Sequence, residues 1–311
     1  MSVRPGVSVG IGDDAAVLTG DPAIVATHDL LIEGVHFRRE TTGPEDLGHR
    51  CLAVNLSDLA AMGAEPVAAL VGLGLPANGS TETTDGLYRG MEALAARVGA
   101  TIAGGDISAS PTFVVAVTAI GRIPAGRGPV RRSEARPGDV LAVTGSLGGS
   151  AAGLAVLDDP SLSSGIDEDA AREALRRHRR PEARLAEGRL LAEAGATAML
   201  DISDGLGVDA ERLARSSDVA IEIDLDRLPI DPSAAALASA LGSDPRLMAW
   251  SGGEDYELLV ALPPATAERT AASLPAGLTV IGHARAGAPS ATARVGGEPL
   301  AVEHSGYLHH V

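Results

Sequence analysis

Gly10-Ile11-Gly12-Asp13-Asp14-Ala15-Ala16-Val17 is the stretch around which the chain is organised. Two glycines let the backbone turn tightly and approach a ligand, two adjacent carboxylates follow at once, and an apolar, strand-like run then begins. Taken alone, a Gly-x-Gly-Asp-Asp is weak evidence, since most such stretches are solvated turns. The pattern, however, repeats. Acidic residues beside small or apolar neighbours recur at Thr27-His28-Asp29, Asn55-Leu56-Ser57-Asp58, Gly104-Gly105-Asp106, Asp201-Ile202-Ser203-Asp204 and Gly252-Gly253-Glu254-Asp255. Carboxylates set at the ends of apolar runs need positive charge in order to gather, and the chain offers little of its own.

The 311 residues are enough for two domains, each with a core. A net charge of −16 argues against nucleic-acid and anionic-membrane partners. Aromatics at 2% leave no base-stacking platform. All 25 basic residues are arginine, so a Walker-type P-loop, a kinase strand lysine and a Schiff base are excluded. Phosphate, if handled here, falls to metal ions and arginine. Cys51 is the single cysteine, which rules out a disulfide framework and a cysteine zinc site. It reads as a buried small residue rather than a nucleophile. Met1-Ser2-Val3-Arg4-Pro5 has no long apolar core, and Val67–Leu75 is far shorter than the roughly 20 residues of a membrane span. A soluble, cytoplasmic protein is expected.

Along the chain, Ile24–Asp29 reads as a buried strand, with Glu33-Gly34 turning between Asp29 and His36. Pro44 opens a helix that runs to about Met62 and stops at Gly63. Leu47, Cys51, Val54 and Asp58 share one face of it. Asp58 on so apolar a helix must be paired with an arginine, neutralised or bound to metal. Val67–Leu75 is a strand, Thr81–Val98 a helix ended by Gly99, Thr101–Ala103 a short strand leading into Gly104-Gly105-Asp106, and Thr112–Ile120 a long strand. This mixture predicts an α/β or α+β sheet domain. Gly121–Gly138, rich in Gly, Pro and Arg, is the boundary, and its Arg131-Arg132 pair is either solvated or a bidentate phosphate grip.

The second half predicts strands at Asp139–Thr144, Ala198–Asp201, Ala220–Asp224, Glu257–Leu262 and Leu278–Gly282, and helices at Asp167–Arg179 and Pro181–Glu193. The turn Gly145–Ser150 either holds an anion at a helix N-terminus or permits close packing. Ser203 or Asp204 could also cap the helix that follows, a reading that fits one of the two aspartates Asp201 and Asp204 but not both. The echo between Asn55-Leu56-Ser57-Asp58-Leu59 and Asp201-Ile202-Ser203-Asp204-Gly205 is too short to be a repeat.

The ordered series Gly10–Val17, Asp29-x6-His36-Phe37, Val54–Ala64, Gly104-Gly105-Asp106, Arg132-Ser133-x2-Arg136-Pro137-Gly138-Asp139, Asp201–Leu206 and Ser251–Leu258 closely resembles the thiamine-monophosphate kinase family. That family belongs to the superfamily of aminoimidazole ribonucleotide synthetase and selenophosphate synthetase. The resemblance spans about residues 8–310, and the motifs are weak separately and strong in order. It implies a two-domain, synthetase-like α/β (α+β) fold of mixed sheets flanked by helices. Residues 1–124 would bind ATP and magnesium and dimerise, 125–137 would link, and 138–311 would form a C-terminal α/β domain. It also implies a homodimer that transfers the γ-phosphoryl group of ATP to thiamine monophosphate, assisted by several magnesium ions.

Carried over by motif, the magnesium ligands are Asp14, Thr27, His28 (through its backbone), Asp29, Asp58, Asp106, Asp201 and Asp204. Nucleotide contacts are Gly105, Asp106, Arg132 and Ser203; the acceptor contacts are His36, Glu254 and Tyr307. Asp29, Asp106, Asp204 and Arg132 would carry the catalysis. Oxygen ligands without a cysteine–histidine cluster fit magnesium, and an acceptor already ionised demands no base. The chain departs from the family at His28, which replaces a small hydroxyl residue, and at Gly306-Tyr307-Leu308-His309-His310, which replaces Gly-aromatic-Asp-His-Phe. The motifs also begin at Gly10, so most of the usual N-terminal segment is expected to be missing, through a mis-set start or a real shortening. The competing expectations are another ATP-using enzyme of the ribonucleotide synthetase type and an inactive nucleotide- and metal-binding regulator. A selenophosphate synthetase is disfavoured by the absence of a reactive cysteine near the N-terminal loop.

Overall fold

The computed structural model describes residues 6–10, 12–300 and 306–307. They form two compact units. The first gathers the described residues up to Leu59, with Ala64–Pro129 and Arg179–Ala183; the second holds Ala60–Gly63, Val130–His178 and the chain from Arg184 onward.

In the first unit the order is β1 (Val7–Val9), β2 (Ala16–Leu18), β3 (Ile24–Ile32), α1 (Pro44–Ala61), β4 (Glu65–Leu75), α2 (Thr81–Val98), β5 (Thr101–Ala109) and β6 (Val114–Arg122). The sheet runs β1-β2-β3-β6-β4-β5, and β4–β5 is its parallel pair. A parallel pair needs a crossover, which α2 supplies between its Ser80 cap and left-handed Gly99. Strand alternation turns Val25, Thr27, Val71, Leu73, Val115 and Val117 inward, where they are buried. Leu47, Leu56, Leu87 and Met91 bury the apolar stripes of α1 and α2. The two helices meet backbone to backbone, because a Cβ on Gly90 would lie 2.0 Å from the Glu45 carbonyl oxygen.

The second unit contains β7 (Val140–Thr144), α3 (Gly149–Asp158), α4 (Glu168–Arg179, its last residue counted with the first unit), α5 (Leu185–Ala194), β8 (Ala198–Asp201), α6 (Leu206–Ser217) and β9 (Ala220–Asp224). Then come α7 (Pro232–Leu241), α8 (Pro245–Ser251), β10 (Leu258–Leu262), α9 (Pro264–Ala271), β11 (Leu278–Arg285), β12 (Ser290–Val295) and β13 (Glu298–Leu300). The sheet order is β13-β12-β9-β11-β7-β10-β8. β10 is apolar and buried throughout, as a strand covered on both faces must be. Leu141, Val143 and Leu259 pack with Leu206 and Leu213 of α6 on one side. Ala142, Val260 and Leu262 pack with Leu191 of α5 and Ala267 of α9 on the other. Helices thus flank the mixed sheet, and the expected α/β (α+β) class holds. Among the described residues no helix is long and apolar enough to cross a membrane.

Two expectations need correcting. The strand expected to stop at Ala103 continues to Ala109 and carries Gly104-Gly105-Asp106 within it. Gly105 pairs with Val71, and a Cβ there would sit 1.8 Å from the Val71 oxygen, so the glycine admits a neighbouring backbone instead of ending the strand. The helix expected from Pro181 begins at Leu185. The Pro181 carbonyl is engaged by His49 Nε2 at 2.9 Å.

Candidate active site

In the first unit the period of β3 separates its chemistry. Thr27 is buried, and its hydroxyl donates to the Asp58 carboxylate on α1. Asp29, two residues on, shares that face, and its charge helps to raise the thiol of Cys51 on α1. Burial is the larger cause of that rise, so Cys51 stays a protonated packing residue. His28 points to the opposite face, where Nδ1 and the Thr118 hydroxyl are 2.8 Å apart. Any metal contact at His28 is thereby left to its backbone. Asp14 follows the glycine turn, its N–H bonded at 3.2 Å to the Asp13 carboxylate. Asp14 and Asp58 bring carboxylate oxygens within 4.8 Å of each other.

Asp106 stands apart from this group. It lies on edge strand β5 opposite Gly72, while Asp29 sits on β3 opposite Val117. Three strand spacings across the sheet are about 14 Å. Asp106 accepts from the Ser108 hydroxyl at 3.3 Å. His36 lies in the turn after β3, where the Ile32 N–H donates to Nδ1 at 3.1 Å. A neutral His36 therefore carries its proton on Nε2.

In the second unit Asp201 ends β8, buried, and the chain turns through Ser203 and Asp204 into α6. Neither residue caps that helix; Gly205 holds the cap position without a side-chain bond. The relation is reversed. Asp209, in the first turn of α6, accepts from the N–H groups of Ser203 and Asp204 at 3.1 and 3.0 Å. Burial, reinforced by the charges of Asp201 and Asp204, pushes Asp209 up to about 7 against the pull of Arg212. Arg212 spans the pair, 2.5 Å from Asp204 and 2.7 Å from Asp209.

The expected acceptor contacts of this unit converge on the same turn. The Glu254 N–H donates to the Ser203 carbonyl at 2.8 Å, and the Tyr307 N–H to the Asp204 carbonyl at 2.8 Å. The Glu254 carboxylate lies 3.6 Å from Nδ1 of buried His178. Leu308-His309-His310 lies outside the described residues. The Arg132 carbonyl accepts from the Ser217 hydroxyl at 2.7 Å, pinning this segment to the end of α6.

The glycine turn before α3 does hold an acidic group, and that group belongs to the chain. The N–H groups of Gly148 and Ser150 donate to Asp255 at 2.6 and 3.1 Å. Burial pushes the Asp255 carboxyl up to about 7 even though both bonds favour its charge. Fully buried Glu257, the residue before β10, accepts from the Thr144 hydroxyl and from Arg184.

Asp14, Thr27, Asp29 and Asp58 therefore gather in the first unit, with His36 and Asp106 elsewhere in it. Ser203, Asp204, Glu254 and Tyr307 gather in the second. Asp209 and Arg212 escaped sequence reasoning, and Asp255, quoted there within its acidic motif, was given no role of its own. An aspartate and an arginine three residues apart inside the next helix were the available signal for the first two.

The AIR synthase related protein N-terminal domain matches residues 12–123, and its C-terminal domain matches 136–292. The thiamine-monophosphate kinase of Mycobacterium tuberculosis is 43% identical over 255 residues, 81% of this chain and 74% of that protein. That of Halobacterium salinarum is 39% identical over 300 residues, 96% and 94% of the two chains. The solved structure "AaThiL complexed with AMPPCP and TMP" superposes with a TM-score of 0.85 at 33% identity, covering 96% of this chain and 92% of that one. With both domain models matched and relatives of this identity along most of its length, the chain belongs to the thiamine-monophosphate kinase family.

Proposed function

We propose that this chain transfers the γ-phosphoryl group of ATP to the phosphate of thiamine monophosphate, giving thiamine diphosphate and ADP. The observation that carries this is the likeness, across 96% of the chain, to a protein solved with AMPPCP and TMP. The grouped acidic residues agree with it. The acceptor is a phosphate oxygen, already ionised at neutral pH, so positioning and charge neutralisation suffice and no general base is required.

Magnesium fits the residues present. Asp14 and Asp58 hold oxygens within 4.8 Å, a repulsive arrangement that a hard divalent cation converts into a pair of ligands. In the first unit Asp14, Thr27, Asp29, Asp58, Asp106 and the His28 backbone would hold such ions; in the second, Asp201 and Asp204 would. When bound, magnesium neutralises phosphate charge during transfer. Thr27 orients the Asp58 carboxylate, and Asp209 fixes the backbone of the Ser203–Asp204 turn. Gly105 and Ser203 would meet the nucleotide, with Arg132 gripping a phosphate bidentately. His36 would offer Nε2–H to the acceptor, alongside Glu254 and Tyr307.

The working form is a homodimer assembled through the first unit, with residues 1–124 carrying ATP, magnesium and the dimer contact and 138–311 forming the other domain. Leu30 and Leu70 lie 45% and 43% exposed on the open face of the first sheet, in adjoining rows with Ala116 and Thr118. An exposed apolar sheet face of this kind is suited to a partner. ATP as donor fits a cytoplasmic location. The test is incubation with ATP, magnesium and thiamine monophosphate, followed by separation of products. Thiamine diphosphate and ADP in equal amounts support the assignment; ADP with inorganic phosphate alone contradicts it.

A further inference from the structure

The turn Gly252–Tyr256 is held in a conformation that its own residues disfavour. Glu254 and Tyr256 have φ of 66° and 53°, the left-handed region that side chains rarely adopt. Such backbone persists only where surrounding contacts over-determine it. Two of those contacts are main-chain bonds to the neighbouring turn, from Glu254 N–H to Ser203 and from Tyr256 N–H to Ile202 at 3.0 Å. Between the two strained residues stands Asp255, buried, its carboxylate on the first N–H groups of α3. The same end of α3 presents the Ser150 hydroxyl to His178 Nδ1 at 3.1 Å, and that nitrogen faces Glu254. Glu254 thus adjoins Asp255 along the chain and His178 in space, and both of these contact the N-terminal end of α3.

We propose that Asp255 is a positioning residue for the acceptor substrate: it ties the Gly252–Tyr256 turn to the first turn of α3 and thereby fixes the left-handed backbone that aims the Glu254 carboxylate. This rests on Glu254 being an acceptor contact. Asp255 touches neither substrate; its buried carboxylate replaces the external anion that this glycine-opened helix would otherwise take. An asparagine keeps one accepting oxygen and turns an N–H donor toward the other N–H, which loosens the tie without changing size.

The experiment is a double-mutant cycle on the full chain with Asp255→Asn, Glu254→Gln and the pair, measuring KM for each substrate, kcat and melting temperature. Asp255→Asn should raise the acceptor KM about tenfold and leave the KM for ATP within about threefold. In the Glu254→Gln background the same change should add less than about twofold, because the two residues act as one unit. A full tenfold effect in that background, or an unchanged acceptor KM in Asp255→Asn alone, overturns the proposal. An unchanged acceptor KM in Glu254→Gln alone overturns the role of Glu254 itself, and it is visible without the Asp255 arm. Should Asp255→Asn not fold, Asp255→Ser carries the same cycle with the same expectations, since a serine hydroxyl still accepts one helix N–H without a buried charge.

Discussion

Asn55-Leu56-Ser57-Asp58 and Asp201-Ile202-Ser203-Asp204 are nearly the same word written on two different backbones. The first lies inside α1, where the main chain satisfies itself and even the Asn55 amide turns back to the Cys51 carbonyl at 3.0 Å. Asp58 then receives a hydroxyl, from Thr27, and stands close to a second carboxylate. The second word leaves a strand and enters a turn, so its N–H groups need side-chain partners and find Asp209. Its Asp204 meets a full positive charge in Arg212. A hydroxyl orients a carboxylate without neutralising it, whereas a guanidinium does both. Beside the helical carboxylate stand the Thr27 hydroxyl and a second carboxylate, and beside the turn carboxylate a guanidinium.

The largest effect expected from this contrast is at Asp58. Asp58→Asn should lower kcat by at least about a thousandfold, roughly 4 kcal/mol of barrier. In chelator it should melt no lower than the parent, with a gain on the order of 0.5–2 kcal/mol from relieved repulsion toward Asp14. With magnesium and a non-hydrolysable ATP analogue the order reverses, because the variant loses a ligand. Melting several degrees lower in chelator would make Asp58 a structural partner and remove the contrast.

A pH scan sharpens the other half. The Asp255 carboxyl, raised to about 7, stays protonated in the folded chain where the unfolded chain has already ionised. The stability this contributes is complete below pH about 4 and is lost as pH rises toward about 7. Relative to Asp255→Asn, the parent should therefore lose melting temperature across that window and run parallel above it. Parallel curves throughout would mean that Asp255 ionises normally.

Next come the two partners. Arg212→Gln should cost about 1–3 kcal/mol, discounted because the arginine is partly exposed. Thr27→Ala should cost only about 1 kcal/mol, the loss of one hydrogen bond. Equal losses in denaturant titrations would erase the distinction between a carboxylate held by a guanidinium and one held by a hydroxyl. Smallest are the acceptor residues. His36→Ala and Tyr307→Ala should each raise the KM for thiamine monophosphate while ATP stays within about threefold, roughly 0.6 kcal/mol. Equal weakening of both substrates would misplace them.

Much of this was legible from local patterns. Continuous apolar runs marked β4, β7 and β10, and Pro44 with Gly63 bracketed α1 within two residues. What was hidden depended on distant chain. Gly104-Gly105 reads locally as the end of a strand; only the Val71 backbone beside it shows why glycine is needed. The glycine turn before α3 left its partner undecided because that partner, Asp255, lies 105 residues from Ser150. The α6 cap was inverted since Ser203 and Asp204 are ordinary cap residues, and the competing carboxylate comes from within the helix. The short elements α7, α8, α9, β12 and β13 carry too few turns or alternations for a period to show. Of the site, the residue types and their grouping by unit were readable, and the pairings were not.

The most direct test of metal binding in both units is the initial rate of thiamine diphosphate formation at fixed, saturating ATP as total magnesium is raised. Asp58 and Asp204 lie in different units, and in the proposed reaction both take metal beyond that carried by the nucleotide. The rate should keep rising well past one magnesium per ATP, and Asp58→Asn should lose that second rise. A rate that saturates at one magnesium per ATP would contradict the account.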